Sequence, residues 1–154
     1  MFRRAVERTD EGDFRVVLSP EEREILRGLP GELRSLLDED ARNPALRRLF
    51  PPAYEDDAEG EQEYRRLLEG ELLAGRRKAL AVLEETAGRE RLAEDELHAW
   101  LGALNDLRLV LGTRIGVTEE LYEAELDPAD PQAAELALYL YLTWLQEELV
   151  AAVG

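Results

Sequence analysis

The most regular hydrophobic pattern of the chain runs from Leu97 to Ile115. Large apolar residues recur there every three or four positions: Leu97, Trp100, Leu101, Leu104, Leu107, Leu111 and Ile115. This spacing is typical of one face of an α-helix. Arg108 falls on the apolar face, and Asn105 and Asp106 lie one or two positions off it. The pattern therefore predicts a core helix that carries charged side chains into or beside the core.

The segment before this helix begins with a predicted β-hairpin. Phe14, Val16 and Leu18 alternate with other residues after a turn-forming cluster, which is typical of a half-buried strand. Ser19-Pro20 then supplies a capping serine and a proline for the first turn of a helix that runs toward Leu37. Pro30 lies inside this segment, so one kinked helix and two short helices in line fit the pattern equally.

Further elements are predicted on either side of the core helix. Asn43–Phe50 has the features of a short helix, and a long amphipathic helix is predicted from about Asp57 to Ala87. Arg89–Leu92 is a candidate third strand beside the hairpin. Gly116 is expected to end the core helix, since glycine is the usual residue at the left-handed position there.

The last predicted helix, Gln132 to Val153, is apolar around nearly its whole circumference. Asp130-Pro131 supplies its cap. This pattern predicts a helix enclosed by its neighbours, either at the centre of the monomer or partly at a dimer face. Charged and polar residues, among them Glu135 and Glu147, interrupt its apolar run, so a membrane span is not expected.

These elements predict a mostly α fold with about five helices and a small N-terminal β-hairpin. A chain of 154 residues is long enough to form one domain with its own core. We therefore expect a single domain over residues 1–154, with the hairpin at 1–18 and the helical body at 19–154. A homodimer is left open, because apolar helix faces serve cores and interfaces alike.

Composition narrows the chemistry that the chain can perform. It has no cysteine and one histidine, which argues against a disulfide framework, a thiolate metal site and most zinc sites. The net charge of −16 repels phosphate backbones, so direct nucleic-acid binding is disfavoured. The first residues lack the apolar run of a signal peptide, and we expect a cytoplasmic protein. No cofactor and no metal are expected, and no catalytic residue stands out.

The polar residues of the core helix form the first candidate site. We interpret Asn105, Asp106, Arg108 and Arg114 as a structural polar network. A guanidinium on an apolar face needs a carboxylate or several carbonyls, because unpaired burial would cost several kcal/mol. The predicted partner of Arg108 is Glu147 or Glu148 on the last helix.

Three segments of the chain resemble an actinobacterial family of unknown function that includes the AosR oxidative-stress transcriptional regulators. They are Trp100–Arg114, with its asparagine-aspartate-leucine-arginine motif, Asn43–Pro51 and Leu142–Glu147. The resemblance implies a non-enzymatic regulator, and its described member responds to oxidation through a disulfide and works with an alternative sigma factor. This chain has no cysteine and cannot form that disulfide. Family genes also tend to lie near that of the Clp protease adaptor.

The resulting hypothesis is a cytoplasmic regulator that contacts a basic protein partner through an acidic helical surface. The candidate surface follows Arg114, after which no lysine or arginine occurs: Glu119, Glu120, Glu123, Glu125 and Asp127. A sigma factor or another RNA polymerase component is the expected partner. The alternatives are a direct DNA-binding transcription factor and an accessory factor in Clp-linked proteolysis, and an enzyme is the least favoured class.

Overall fold

A computed structural model of the chain describes residues 4–39, 60–116 and 129–154. These residues form three short strands, β1 (Val6–Arg8), β2 (Phe14–Val16) and β3 (Arg91–Leu92). They also form four helices, α1 (Pro20–Glu39), α2 (Gly60–Thr86), α3 (Glu94–Ile115) and α4 (Pro131–Val153). The prediction of a mostly α fold with a small N-terminal hairpin is confirmed. The predicted short helix at 43–50 lies outside the described residues.

The hairpin becomes a three-stranded antiparallel sheet because the predicted third strand joins it. The strand order is β1-β2-β3, with Val6 opposite Val16 and Phe14 opposite Leu92. Gly12 has a φ of 91°, which is why glycine suits the turn between β1 and β2. One face of the sheet is apolar and packs on the helices, since Phe14, Val16 and Leu92 are buried. The sheet thus gains the support that an isolated hairpin lacks.

Helix α1 begins at the predicted capping serine, which forms a capping box with Glu22, and continues through Pro30 as a single helix. The Glu22 amide donates to the Ser19 hydroxyl at 3.2 Å, and the Ser19 amide donates to Glu22 Oε1 at 3.4 Å. Arg23 then joins the start of α1 to the sheet. Its guanidinium donates to the carbonyls of Val16, Ala87 and Arg89 at 2.7–3.1 Å.

Helix α3 is the central element, because it packs on α2 along one side and on α4 along another. Its buried side chains include Leu97, Trp100 and Leu104, each fully buried. As predicted, it ends at Gly116, whose φ of 62° is left-handed. The core therefore forms around the segment that has the most regular hydrophobic pattern.

Helix α4 is buried along one side only, so the first of the two predicted arrangements, a helix enclosed at the centre of the monomer, is wrong. The second, a helix that lies partly at a dimer face, stays a prediction. Leu142, Leu145 and Leu149 are buried against the core, whereas Leu140 and Val150 are 41% and 56% exposed. Among the described helices, α4 alone is long and apolar enough to cross a membrane by length and composition, a test that core helices of soluble proteins also pass. The predicted cap is confirmed, since Asp130 Oδ1 accepts from the amide of the second helical residue at 2.9 Å.

A buried hydrogen bond joins the last residue of α2 to the first half of α3. Trp100 Nε1 donates to the Thr86 hydroxyl at 2.6 Å, and that hydroxyl donates to the Val82 carbonyl at 2.6 Å. Trp100 is fully buried and Thr86 is 2% exposed, so water cannot replace the hydroxyl as an acceptor. This bond fixes the indole within the core.

We predict that Thr86→Val lowers the free energy of unfolding by about 1–3 kcal/mol, because it leaves the buried indole N–H without an acceptor. Thr86→Ser is the matched control, since it keeps the hydroxyl and loses one methyl group, worth about 1 kcal/mol. Urea unfolding measures both. Equal stability of Thr86→Val and the unsubstituted protein would contradict the prediction.

Candidate functional site: the polar residues of the central helix and the outer face of α4

All four residues of the predicted polar network lie on α3, but they do not form one network. Asp106 faces α2, whereas Asn105 and Arg108 contact each other and α4. Arg114 lies near the end of α3 and faces the beginning of α4. The helix therefore places its polar side chains against two different neighbours, at three separate positions.

Asp106 forms an ion pair between α3 and α2. Its Oδ2 lies 3.2 Å from Arg76 Nε, and the two side chains are 10% and 21% exposed. Burial raises the pKa of Asp106 above 3.8, and the attraction of the Arg76 guanidinium offsets this only in part. The pair thus places an ionised carboxylate in the core at a cost in desolvation, and its value depends on the partner staying in place.

Asn105 joins α3 to α4 through its side-chain oxygen. The Asn105 Oδ1 accepts from Arg108 at 3.3 Å and from Gln146 Nε2 at 3.4 Å. Two polar atoms of this cluster, Arg108 Nε and Gln146 Oε1, are buried without a hydrogen-bond partner. The cluster is therefore incompletely satisfied within the described part of the chain. Gln146 was not predicted as a member, because the α3 pattern gives no sign of which α4 residue lies opposite.

The predicted ion pair of Arg108 with Glu147 or Glu148 is not formed. Arg108 contacts no carboxylate within ion-pair distance among the described residues. Glu148 instead accepts from the Ala5 amide, at 2.9 Å from Oε1, and so fastens α4 to the beginning of the hairpin. Glu147 and Arg108 line one surface pocket of about 360 Å³ without pairing. Arg108 is also only partly buried, which removes the need for a buried counter-charge.

Arg114 lies at the rim of an apolar pocket of about 280 Å³ between α1, α3 and α4. Its guanidinium is 3.9 Å from Glu135 Oε1, and both side chains are largely solvated. Leucine and valine side chains form most of the wall, and Glu32 is the only other charged residue of the lining. A loose ion pair at an apolar opening offers few groups that could act as acid or base.

The predicted partner surface, Glu119, Glu120, Glu123, Glu125 and Asp127, lies outside the described residues. On α4 the two exposed large apolar side chains, Leu140 and Val150, belong to a stripe that we call the α4 outer face: Leu140, Thr143, Glu147 and Val150. Their spacing of three, four and three residues places them on one side of the helix. Glu147 carries the only charge of this face.

No group of three or more histidine, cysteine, aspartate or glutamate side chains suited to a metal ion occurs in the described ranges. The single histidine, His98, is more than half exposed and lies 3.8 Å from Glu94 one turn earlier. This is the arrangement of an ordinary surface pair on a helix.

We predict that Arg76→Met lowers the free energy of unfolding by about 1–3 kcal/mol at neutral pH, below the roughly 3–5 kcal/mol typical of fully buried pairs. Since the folded-state pKa of Asp106 is raised, its contribution to stability is fully present below about pH 3.8 and is lost as the pH rises through that pKa. Without Arg76 that pKa rises further, so the cost of the substitution should be larger at pH 8 than at pH 5.

Urea unfolding at the two pH values measures this difference. Lys78→Met is the control, since Lys78 is exposed on the same helix and its loss should cost the same at both pH values. In an Asp106→Asn background the pH dependence of Arg76→Met should disappear. A pH-independent cost in the original background would assign the effect to packing instead of to the carboxylate.

Comparison with known proteins places this arrangement in a family. Residues 3–153 match the domain of unknown function DUF2017. The oxidative stress regulator AosR of Mycobacterium tuberculosis is 32% identical over 184 aligned positions, which cover 94% of this chain and 84% of the relative. The AosR of Mycobacterium bovis has the same identity and coverage. A Mycobacterium leprae relative is 30% identical over 96% of this chain and 86% of its own length.

The comparison with solved structures found no match to this chain. The family match spans nearly the whole sequence and includes α3 with its polar residues as well as α4. The named relatives support a regulatory role. This chain therefore belongs to the DUF2017 family, and its AosR relatives are similar to it over 84–86% of their own length.

Proposed function

We propose that the protein is a non-enzymatic cytoplasmic regulator that acts by contact with another protein, a sigma factor or another component of RNA polymerase. The observation that carries the proposal is the similarity, over 94% of the chain, to proteins named as oxidative stress regulators. Similarity of this extent includes every described element and not one isolated motif. The names of the relatives indicate regulation only. The protein–protein contact and the RNA polymerase component as partner are what we propose in addition.

The charge of the protein supports a basic protein partner over a nucleic acid. The chain carries 35 acidic and 19 basic residues, and its field repels phosphate. Exposed acidic residues occur on more than one described helix, for example Glu21 and Glu24 on α1 and Glu94 and Asp95 on α3. The segment that follows Arg114 carries only acidic charges. Such a surface attracts a basic partner from a distance and sets its orientation.

The ionisable groups of the described residues favour a structural over a catalytic interpretation. The pKa values of Asp13 and Asp106 are shifted, and each shift has a local cause. The Thr9 hydroxyl lowers the pKa of Asp13 in the hairpin turn, and burial raises that of Asp106. Neither group lines one of the pockets described above. An active site would instead bring such groups together at a cleft.

The absence of cysteine limits the signal that this regulator can receive directly. A thiol switch within the chain is excluded, because disulfide and sulfenic acid chemistry need a cysteine. We propose that any response to oxidation reaches the protein through its partner. Binding, and not covalent change of this chain, then carries the signal.

The proposal is tested by biolayer interferometry with purified RNA polymerase core enzyme and individual sigma factors of the organism that encodes the chain. We predict that one of them binds the immobilised protein. The association rate should fall steeply between about 0.1 M and 1 M salt, where the Debye length falls from about 10 Å to about 3 Å. Combined Glu119→Lys, Glu120→Lys and Glu123→Lys should slow association further.

The matched control is Glu71→Lys, Glu85→Lys and Glu90→Lys, which changes the net charge equally at exposed positions elsewhere. It should slow association less than the first set, since steering depends mainly on charges near the contact. No binding to any of these proteins would overturn the proposed partner. Tight binding to duplex DNA in a parallel experiment would favour the direct DNA-binding alternative.

A further inference from the structure

The α4 outer face is unusual for the exposed side of a helix in an acidic protein. Leu140 and Val150 are two of only four large apolar side chains that the described residues leave exposed. They lie ten residues apart, or roughly 15 Å along the helix. Thr143 and Glu147 lie between them on the same side. Because both lie on one side of the same helix, a partner that covers this side would bury both side chains at once.

Two opposite charges at this face lack an ion-pair partner in the described chain. Arg108 of α3 borders the face, and its guanidinium donates to Asn105 without reaching a carboxylate. Glu147 is exposed and makes no ion pair with a described residue. Both side chains line the same pocket of about 360 Å³, together with Thr143, Gln146 and Val150. The surface therefore presents a cation and an anion side by side, each available to a partner.

A helix stripe with spacings of three, four and three residues is symmetric about its midpoint, which here is residue 145. Leu140 and Val150 are each five positions from it, and Thr143 and Glu147 are each two positions from it. If two copies of α4 pack antiparallel about a two-fold axis at this point, Leu140 lies against the partner's Val150. Arg108 then lies beside the partner's Glu147, and the same contacts occur a second time. An interface in which residue i meets residue j twice is the arrangement that two-fold symmetry requires.

We propose that the protein forms a two-fold symmetric homodimer through the α4 outer face, with Arg108 of each protomer paired to the partner's Glu147. The apolar pair of Leu140 and Val150 supplies burial, and the two ion pairs fix the antiparallel orientation. Helix α4 is roughly 34 Å long, and the proposed contact runs along its outer face and the adjoining part of α3. Each copy carries a net charge of −16, and the repulsion between these like charges weakens the association. The fraction of dimer therefore depends on the protein concentration.

Sedimentation equilibrium over a range of concentrations tests the proposal, at about 0.15 M ionic strength, where the Debye length is about 8 Å. The protein should shift from 17.5 kDa toward twice that mass as its concentration rises. Arg108→Glu alone and Glu147→Arg alone should each raise the dimer dissociation constant by roughly tenfold or more, because each brings two pairs of like charges together. Circular dichroism checks that both variants keep their helix content.

Mixing the two variants should restore the dimer, because every introduced charge then meets an opposite charge across the interface. The double variant Arg108→Glu/Glu147→Arg should likewise dimerise by itself, which keeps the test decisive if a single variant folds poorly. Lys78→Glu and Glu71→Arg are the matched controls, since they make the same charge changes at exposed positions of α2 and should leave the dimer unchanged.

Three results would overturn the proposal: a single 17.5 kDa species at every concentration, single variants that dimerise like the original, or a mixture and double variant that stay monomeric. The second result would indicate that Arg108 and Glu147 do not contribute to the dimer contact. A monomer that co-sediments with phosphatidylcholine vesicles would assign the α4 outer face to a lipid surface instead.

Discussion

The structure depends on the constraint that its central helix is packed along two sides and still carries polar groups. A buried polar group left without a partner costs about 1–3 kcal/mol, a large part of the 5–15 kcal/mol that stabilises a typical domain. Trp100 and Asp106 obtain their partners from α2, and Asn105 obtains one from α4. These bonds restrict how far each neighbour can slide or rotate along α3. The apolar contacts alone would tolerate more than one arrangement.

Local signals in the sequence were sufficient to predict most of the described elements and several of their ends. The capping residues Ser19 and Asp130 and the terminal Gly116 act through bonds or backbone angles within a few residues, so the structure confirms them. The face of α3 was predictable for the same reason, since helical periodicity assigns Trp100 and Leu104 to the core. The local effect of a residue, such as capping a helix or facing the core, can be inferred from the residues close to it in sequence.

Partners distant in sequence were not predictable in this way. Periodicity shows that Arg108 lies beside the apolar face, but it does not show which residue of α4 lies opposite. Glu148 was a reasonable candidate counter-charge by sequence, but its carboxylate instead accepts a hydrogen bond from the Ala5 amide of the hairpin. The predicted central position of α4 was wrong for a related reason. In sequence, the exposed Leu140 and Val150 cannot be told apart from the buried Leu142 and Leu149. Hydrophobicity indicates which side chains favour burial, but it does not show which other part of the molecule, or which partner, buries them.

The contact between the hairpin and α4 has a consequence for how the protein is made. Glu148 accepts from the Ala5 amide, and Arg8 donates to the Val153 carbonyl at 3.2 Å, so the earliest described strand is held by the end of α4. Synthesis runs from the amino end of the chain, so β1 emerges from the ribosome long before α4. Strand β2 can pair with β3 once residues 91–92 are made, but β1 gains its contacts with α4 only after Glu148 has been added. Through that interval β1 is held mainly by its pairing with β2, and an isolated hairpin is marginal in water.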